Sequence, residues 1–318
     1  MRAWNRPLVL FTGAMILLVL VSLVGLLVDP RVVGGQPVWA KPFKFSLSFT
    51  LYAPTLAWMI SRLTAPRARR IGGWLGTIVA VTSVLEMVAI VGQAVRGVPS
   101  HFNVSTTLDT VVWAVMGSSI AVLWVANLAI AVLLMREHSL PAATAWAVRL
   151  GLVVALIGMA VAFLMTSPTG AQIASAEATG AMTTAGAHAV GVPDGGSGLP
   201  LLGWSTTGGD LRIGHFVGLH ALQALPVLAL GLGLLAARFP VLRHEVVRTR
   251  LVVVGALAWT GLTLLLTWQA LRGQPLLAPD ALTVGAAAAL VVGTLLLALA
   301  ALRSAPRRNG SDRVAVAA

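Results

Sequence analysis

Residues 71–95 read IGGWLGTIVAVTSVLEMVAIVGQAV, and Glu86 is the only formal charge in the run. At 1.5 Å per residue such a stretch is long enough to cross the roughly 30 Å hydrocarbon core of a bilayer as a helix. Its apolar residues are continuous, whereas a barrel strand would alternate them at every second position. Seven further stretches read the same way, at 7–28, 45–60, 108–135, 146–165, 213–235, 251–270 and 283–302. The sequence therefore predicts an all-α polytopic membrane protein with eight transmembrane helices.

Composition agrees. Of 318 residues 58% are hydrophobic and 10% charged, against roughly 25% charged in soluble domains. With no cysteine, disulfides, iron–sulfur clusters, zinc–thiolate sites and thiol nucleophiles are excluded, so a metal would have to use His, Asp, Glu or Met. Arg2 and Arg6 precede the first apolar run as in a signal peptide, but no Ala-x-Ala cleavage site follows, and the run reads as a retained helix.

Eight crossings put both termini on one side. Arg2, Arg6, Arg62, Arg67, Arg69, Arg70, Arg136, Arg149, Arg238, Arg243, Arg248, Arg250, Arg303, Arg307, Arg308 and Arg313 fall there, sixteen of the 22 basic residues. By the positive-inside rule both termini are cytoplasmic, in the plasma membrane of a cell whose Arg-rich usage points to a GC-rich bacterium. The net charge of +12 is then a topology signal, and nucleic acid is not an expected partner. Arg31, Lys41, Lys44, Arg96, Arg212 and Arg272 lie outside, with the connections 29–44, 96–108, 166–212 and 271–282. The connection 166–212 is long and Gly-rich, and its second half, which contains Trp204, is expected to be ordered against the outer surface.

Residues 93–99 read QAVRGVP and residues 269–275 read QALRGQP. Each ends an apolar segment, and an Asp (Asp109, Asp280) follows near the start of the next. This internal repeat predicts two tandem four-helix bundles in parallel orientation, 1–138 and 139–318, related by an axis along the membrane normal.

Polar groups inside the hydrocarbon are costly and mark candidate sites. Glu86 precedes Arg96 by about 15 Å of helix, near mid-bilayer, where it is either a neutral carboxyl bonded to another helix or a proton carrier or metal ligand. His101, His188, His215 and His220 all fall in outer loops or the outer halves of helices, while His138 and His244 sit among cytoplasmic arginines. On one continuous helix His215 and His220 would diverge by about 140°, so each needs a partner elsewhere, His101 or His188. Such histidines suit axial ligation of haem b, or a transition metal held by His101, His215, His220 and Glu86, with Gln223 on the face of His220. Lys44, Arg96, Arg212 and Arg272 would form a basic outer rim for propionates or another anionic small molecule, unless they snorkel to headgroups. Asp109, Asp194, Asp210 and Asp280 would either join a metal site or pair with rim cations and cap helices. Gly72/Gly76 and Gly214/Gly218 permit close helix contact, and Pro54 and Pro226 permit kinks.

The four-plus-four plan with outer-half histidines is broadly similar to the haem A synthase family, whose two bundles bind haem on paired histidines. The likeness is one of architecture: no motif is shared, and residues 44–52 hold no histidine to match His215 and His220. The expected function is a haem- or metal-binding membrane protein with a redox or sensing role. The alternatives are a proton-coupled small-solute transporter using Glu86, or a membrane scaffold without catalysis. Besides the lipid bilayer and an anionic small molecule, a second copy of the chain is an expected partner.

Overall fold

Helix starts follow the capping residues that the sequence supplies. The Asn5 side chain accepts from Leu8 N at 3.1 Å to begin α1 (Arg6–Val28), and the Thr106 hydroxyl accepts from Asp109 N at 3.1 Å to begin α4 (Thr107–Met135). Asp210 opens α7 (Leu211–Leu219) and Asp280 opens α10 (Ala281–Arg303) in the same way. These side chains satisfy N–H groups that have no partner within the helix. At the other end, α3 (Pro66–Arg96) stops at Gly97, whose φ of 71° is the left-handed conformation that glycine adopts without strain.

This computed structural model describes residues 4–304; Arg2, Arg307, Arg308 and Arg313 lie outside the described residues. Helices α2 (Ala40–Ser61), α5 (Ala142–Val161), α6 (Gly170–Thr179), α8 (Ala221–Leu235) and α9 (Glu245–Leu271) complete the set. The only ladders among the described residues pair β1 (Val32–Val33) with β2 (Gln36–Pro37) and β3 (Ala189–Val190) with β4 (Gly209–Asp210). Six helices, beginning at Arg6, Pro66, Thr107, Ala142, Glu245 and Ala281, are long and apolar enough to cross a membrane, and α7 with α8 makes a seventh if that bent pair is one span. The remaining expected span, 45–60, lies within α2 and is not among them; α2 carries Lys41, Lys44, Ser46, Ser48 and Thr50.

Helix α1 packs on α2 and α3, α2 on α3, and α3 on α4; later in the chain α5 packs on α7, α8 and α9, and α9 on α10. The two groups meet through α4 with α5 and α2 with α8. One buried polar bond crosses the first group, from the hydroxyl of Tyr52 in α2 to Asn127 Oδ1 in α4 at 2.9 Å.

Connections gather at two ends. At one, Glu137 accepts from Thr64 N at 2.6 Å and its carbonyl from Arg149 at 2.7 Å. At the other, Lys44 donates to Leu202 O at 2.8 Å, Arg31 to Val95 O at 2.8 Å, and Asn103 bridges Thr184. The connection 166–212 is tied to this end at Thr183 and Ala185, which bond Val104 and Phe102, and at Leu202, while within it α6 carries a Thr169/Gln172 capping box and Gly198 bridges Ser205.

The expected uninterrupted helix over 213–235 is broken. Helices α7 and α8 meet at His220 with a bend of 43°, while Pro54 and Pro226 both lie inside continuous helices. Beside the bend the glycines of α7 have no room for a side chain. An ideal Cβ on Gly218 would fall 2.5 Å from Gly158 Cα, and one on Gly214 would collide with Thr267. Helix α7 is thus pressed backbone to backbone on α5 and against α9, and α8, beyond the bend, packs on the same two helices.

The repeated heptapeptides make similar helix ends. Arg96 pairs with Asp109 at 2.6 Å, and Arg272 pairs with Asp280; Gly273 has φ 70°, close to Gly97. Gln93 donates to Asp109, whereas Gln269 donates to Pro275 O.

Gly218→Ala is expected to lower stability by about 1–3 kcal/mol through overpacking, read from the unfolding midpoint in detergent. Gly231→Ala, whose added methyl meets nothing within 4 Å, is expected to leave that midpoint unchanged or slightly raised.

Candidate functional site

A single cavity of about 1740 Å³ collects the polar residues that the apolar helices carry. Helix α2 contributes Lys41 and Lys44, α3 Glu86, the 97–106 segment His101, and α4 Trp113. From the other side come His188 and Asp194 of the long connection, Arg212 and His215 of α7, His220 at the break and Gln223 of α8. All four outer-side histidines, Glu86, Arg212 and Gln223 therefore share one space. Arg96 is not in its lining.

His101 is delivered by a strained turn. Phe102 has φ 62°, an unusual conformation for a bulky residue. Its ring is fixed against Trp113 at 5.1 Å and His188 at 4.7 Å, and its carbonyl accepts from Ala185 N at 2.8 Å. The chain consequently folds back along the helices, and His101 Nε2 comes within 3.7 Å of Glu86 Oε1. Glu86 is 1% exposed. It is not bonded to a neighbouring helix, and its Oε2 has no hydrogen-bond partner. Because an unsatisfied buried carboxyl is costly, this group marks a place where a ligand or water belongs.

Two histidines are held in a defined tautomer. His188 Nδ1 lies 2.7 Å from Asp194 Oδ2, and the same carboxylate accepts from His188 N and Ala189 N. His215 Nδ1 lies 2.8 Å from Gly158 O. That carbonyl is free because the chain tightens into a 3-10 turn (Ala162–Met165) and the Ala162 N–H turns to Met159 and Ala160 instead. A carbonyl or carboxylate only accepts, so Nδ1 carries the proton in each case and Nε2 keeps its lone pair. His220 Nδ1 approaches Gln223 Oε1 at 3.3 Å, and His220 Nε2 and Gln223 Nε2 have no partner.

The expected basic rim is largely neutralised by its own aspartates. Arg96 and Arg272 pair with Asp109 and Asp280, and Arg212 is bound by Asp210 at 2.5 Å and by Gly203 O. Lys44 donates to Gln36 Oε1 and Leu202 O, each at 2.8 Å. The aspartates thus pair cations, cap helices or orient His188, and Arg96 does not serve the cavity. Lys41 differs: it stands 5.7 Å from the Phe45 ring centroid and within electrostatic reach of Glu86 and Arg212. Nor do the four expected metal ligands form one site. His101 meets Glu86, but among the described residues no three His, Asp or Glu side chains are grouped to hold a metal ion.

Burial lowers the basicity of His101 and His188; for His188 the Asp194 hydrogen bond opposes the trend without reversing it. Burial also pushes Asp194 up, but hydrogen bonds from His188 and Ala189 outweigh it and hold the carboxyl at about 2.

No family model, curated protein or solved structure matches the chain. Sequence reasoning missed Lys41, Trp113 and the Gly158 carbonyl as parts of the site. Gly214 and Gly218 are the sequence signal for the close approach of α7 beside the bend, but nothing in the sequence marks a carbonyl beside a 3-10 turn.

Because these two histidines stay neutral when folded and charge near 6.5 when unfolded, the unfolded chain binds more protons on acidification. Stability should therefore fall as pH drops from about 7.5 to about 5.5. Thermal midpoints in detergent check this, and the double variant His101→Gln, His188→Gln should flatten the slope.

Proposed function

We propose that this chain is a multi-pass membrane haem protein with a redox or sensing role. It binds haem b between His188 and His215 in a cavity that faces away from the cytoplasm. The observation carrying this reading is the pair of histidines from separate elements on one apolar cavity, each with Nδ1 engaged and Nε2 left as a ligand. The cavity, at about 1740 Å³, exceeds the roughly 300–1,000 Å³ of sites for drug-sized ligands. Two axial nitrogens suffice for haem, so the lack of a three-ligand cluster does not oppose it. When bound, haem would supply one-electron transfer or gas binding. The chain's residues would hold it, fix the imidazole planes and exclude water.

The topology that goes with this reading is eight helices in two parallel four-helix halves, with both termini in the cytoplasm of a bacterium. Supporting it are the corresponding helix pairings, the matching Arg–Asp helix ends and the packing of α2 on α8. The expected result is a Soret band from protein expressed with haem supplied, lost or shifted in His188→Ala and in His215→Ala. No Soret band in the wild type would remove the proposal.

A second reading, a proton-coupled small-solute carrier, is favoured by the buried Glu86 carboxyl with an unbonded oxygen. It predicts pH-dependent uptake into proteoliposomes that falls at least about tenfold in Glu86→Gln; undiminished uptake in that variant removes Glu86 from transport.

A further inference from the structure

Beside His188, whose ring stacks on that of His101 at 6.4 Å, the cavity holds at one pole a second set of polar groups that the proposed haem ligands leave unused. There the Glu86 carboxyl and His101 Nε2 stand 3.7 Å apart, too far to bond each other, and Glu86 Oε2 has no partner. Lys41 lines the same pole. The surrounding wall is aromatic: the ring of His101 lies 5.4 Å from Trp113 and 6.0 Å from both Phe45 and Phe102. The cavity also reaches the side of the molecule, since Leu47, Leu51 and Val227 line it while remaining 45%, 53% and 65% exposed on helices α2 and α8.

Each feature restricts the ligand. A carboxyl and an imidazole with free lone pairs or protons suit an oxygen that can both accept and donate. The formal charges of Lys41 and Glu86 cancel, so the pole does not select a net anion, and the stronger cations Arg212 and Lys44 are already engaged. Aromatic walls accept a flat ring, by stacking or edge contact. A mouth between α2 and α8, lined by exposed aliphatic side chains, admits an apolar tail from the bilayer. The cavity volume of about 1740 Å³ leaves room for such a molecule beside a macrocycle.

We propose that the Glu86–His101 pole binds a lipid-soluble quinone or quinol, its ring oxygen between Glu86 and His101 and its tail leaving past Leu47 and Leu51. Glu86 offers or receives the hydrogen of the ring oxygen, His101 makes the second hydrogen bond, and Lys41 stands within electrostatic reach of the carboxyl without bonding it. Binding at this pole does not require the haem reading.

The test is quenching of tryptophan fluorescence in the purified full-length chain by a decyl-substituted benzoquinone, with dodecyl phosphate as the anionic comparison. Saturable quenching by the quinone, weakened about tenfold or more in Glu86→Leu and partly restored in Glu86→Gln, is the expected result. Equal affinity in wild type and Glu86→Leu, or tighter binding of dodecyl phosphate than of the quinone, overturns the proposal. Should Glu86→Leu fail to fold, Leu51→Trp at the mouth decides. It should weaken the decyl compound about tenfold and leave a tail-less benzoquinone unchanged, and loss of neither or both overturns the assignment. Because tryptophan emission needs no haem, a chain that never binds haem still shows whether the quinone binds.

Discussion

The contact on which this architecture depends is the approach of α7 to α5, where Gly218 meets Gly158 with no side chain between the backbones. At that distance the Gly158 carbonyl, left free as α5 tightens into its 3-10 turn, falls to His215 Nδ1. Helix α8 leaves α7 at a bend of 43° at His220, and both halves pack on α5 and α9. A helix laid straight from 213 to 235 would have turned His215 and His220 to different faces; the broken one brings both to the cavity. Small residues here therefore do more than permit packing, because they decide which histidine nitrogen is free.

The charged residues of so apolar a chain sort into two groups. Asp210 and Asp280 each take an arginine and the N-terminus of a helix, Asp109 takes Arg96, Gln93 and the Thr106 hydroxyl, and Glu137 ties Thr64 and Arg149 together at the opposite end. These are connections between helices, and they need no ligand. In the cavity the pattern changes: Glu86 Oε2, His220 Nε2 and Gln223 Nε2 are buried without partners. Native interiors rarely leave such atoms unpaired without water, an ion or a ligand to meet them. Among the described residues Ser22, Ser83, Arg149, Glu245 and Thr249 also carry a buried unpaired atom, away from the cavity, so it is the convergence of Glu86, His220 and Gln223 on one cavity that locates the site.

Much of this was legible in the sequence because membrane helices follow long-range rules. Continuous apolarity marked α1, α3, α4, α5, α9 and α10, and the placement of basic residues sorted their connections. Glu86 and the four histidines could be picked out because polar groups in such segments are rare. What could not be read was convergence. Nothing local says that the 97–106 segment folds back through a left-handed Phe102 to set His101 beside Glu86, or that Asp194 orients His188 rather than joining a metal site. For Arg96 and Arg272 the sequence left open an anion-binding rim or pairing with the aspartates, and the turn of the chain after each helix sets the pairing with Asp109 and Asp280. The expected span at 45–60 falls in α2, which is not among the helices apolar enough to cross, since the lysines that give it a place at the cavity also reduce its apolar character.

If His188 and His215 together hold a haem, native mass spectrometry of the chain released from its membrane should detect it directly. The wild type should carry one non-covalent adduct of haem mass, and the double variant His188→Ala, His215→Ala should fly as the bare chain. A wild type without that adduct after expression with haem supplied, or an adduct retained by the double variant, would contradict ligation by this pair.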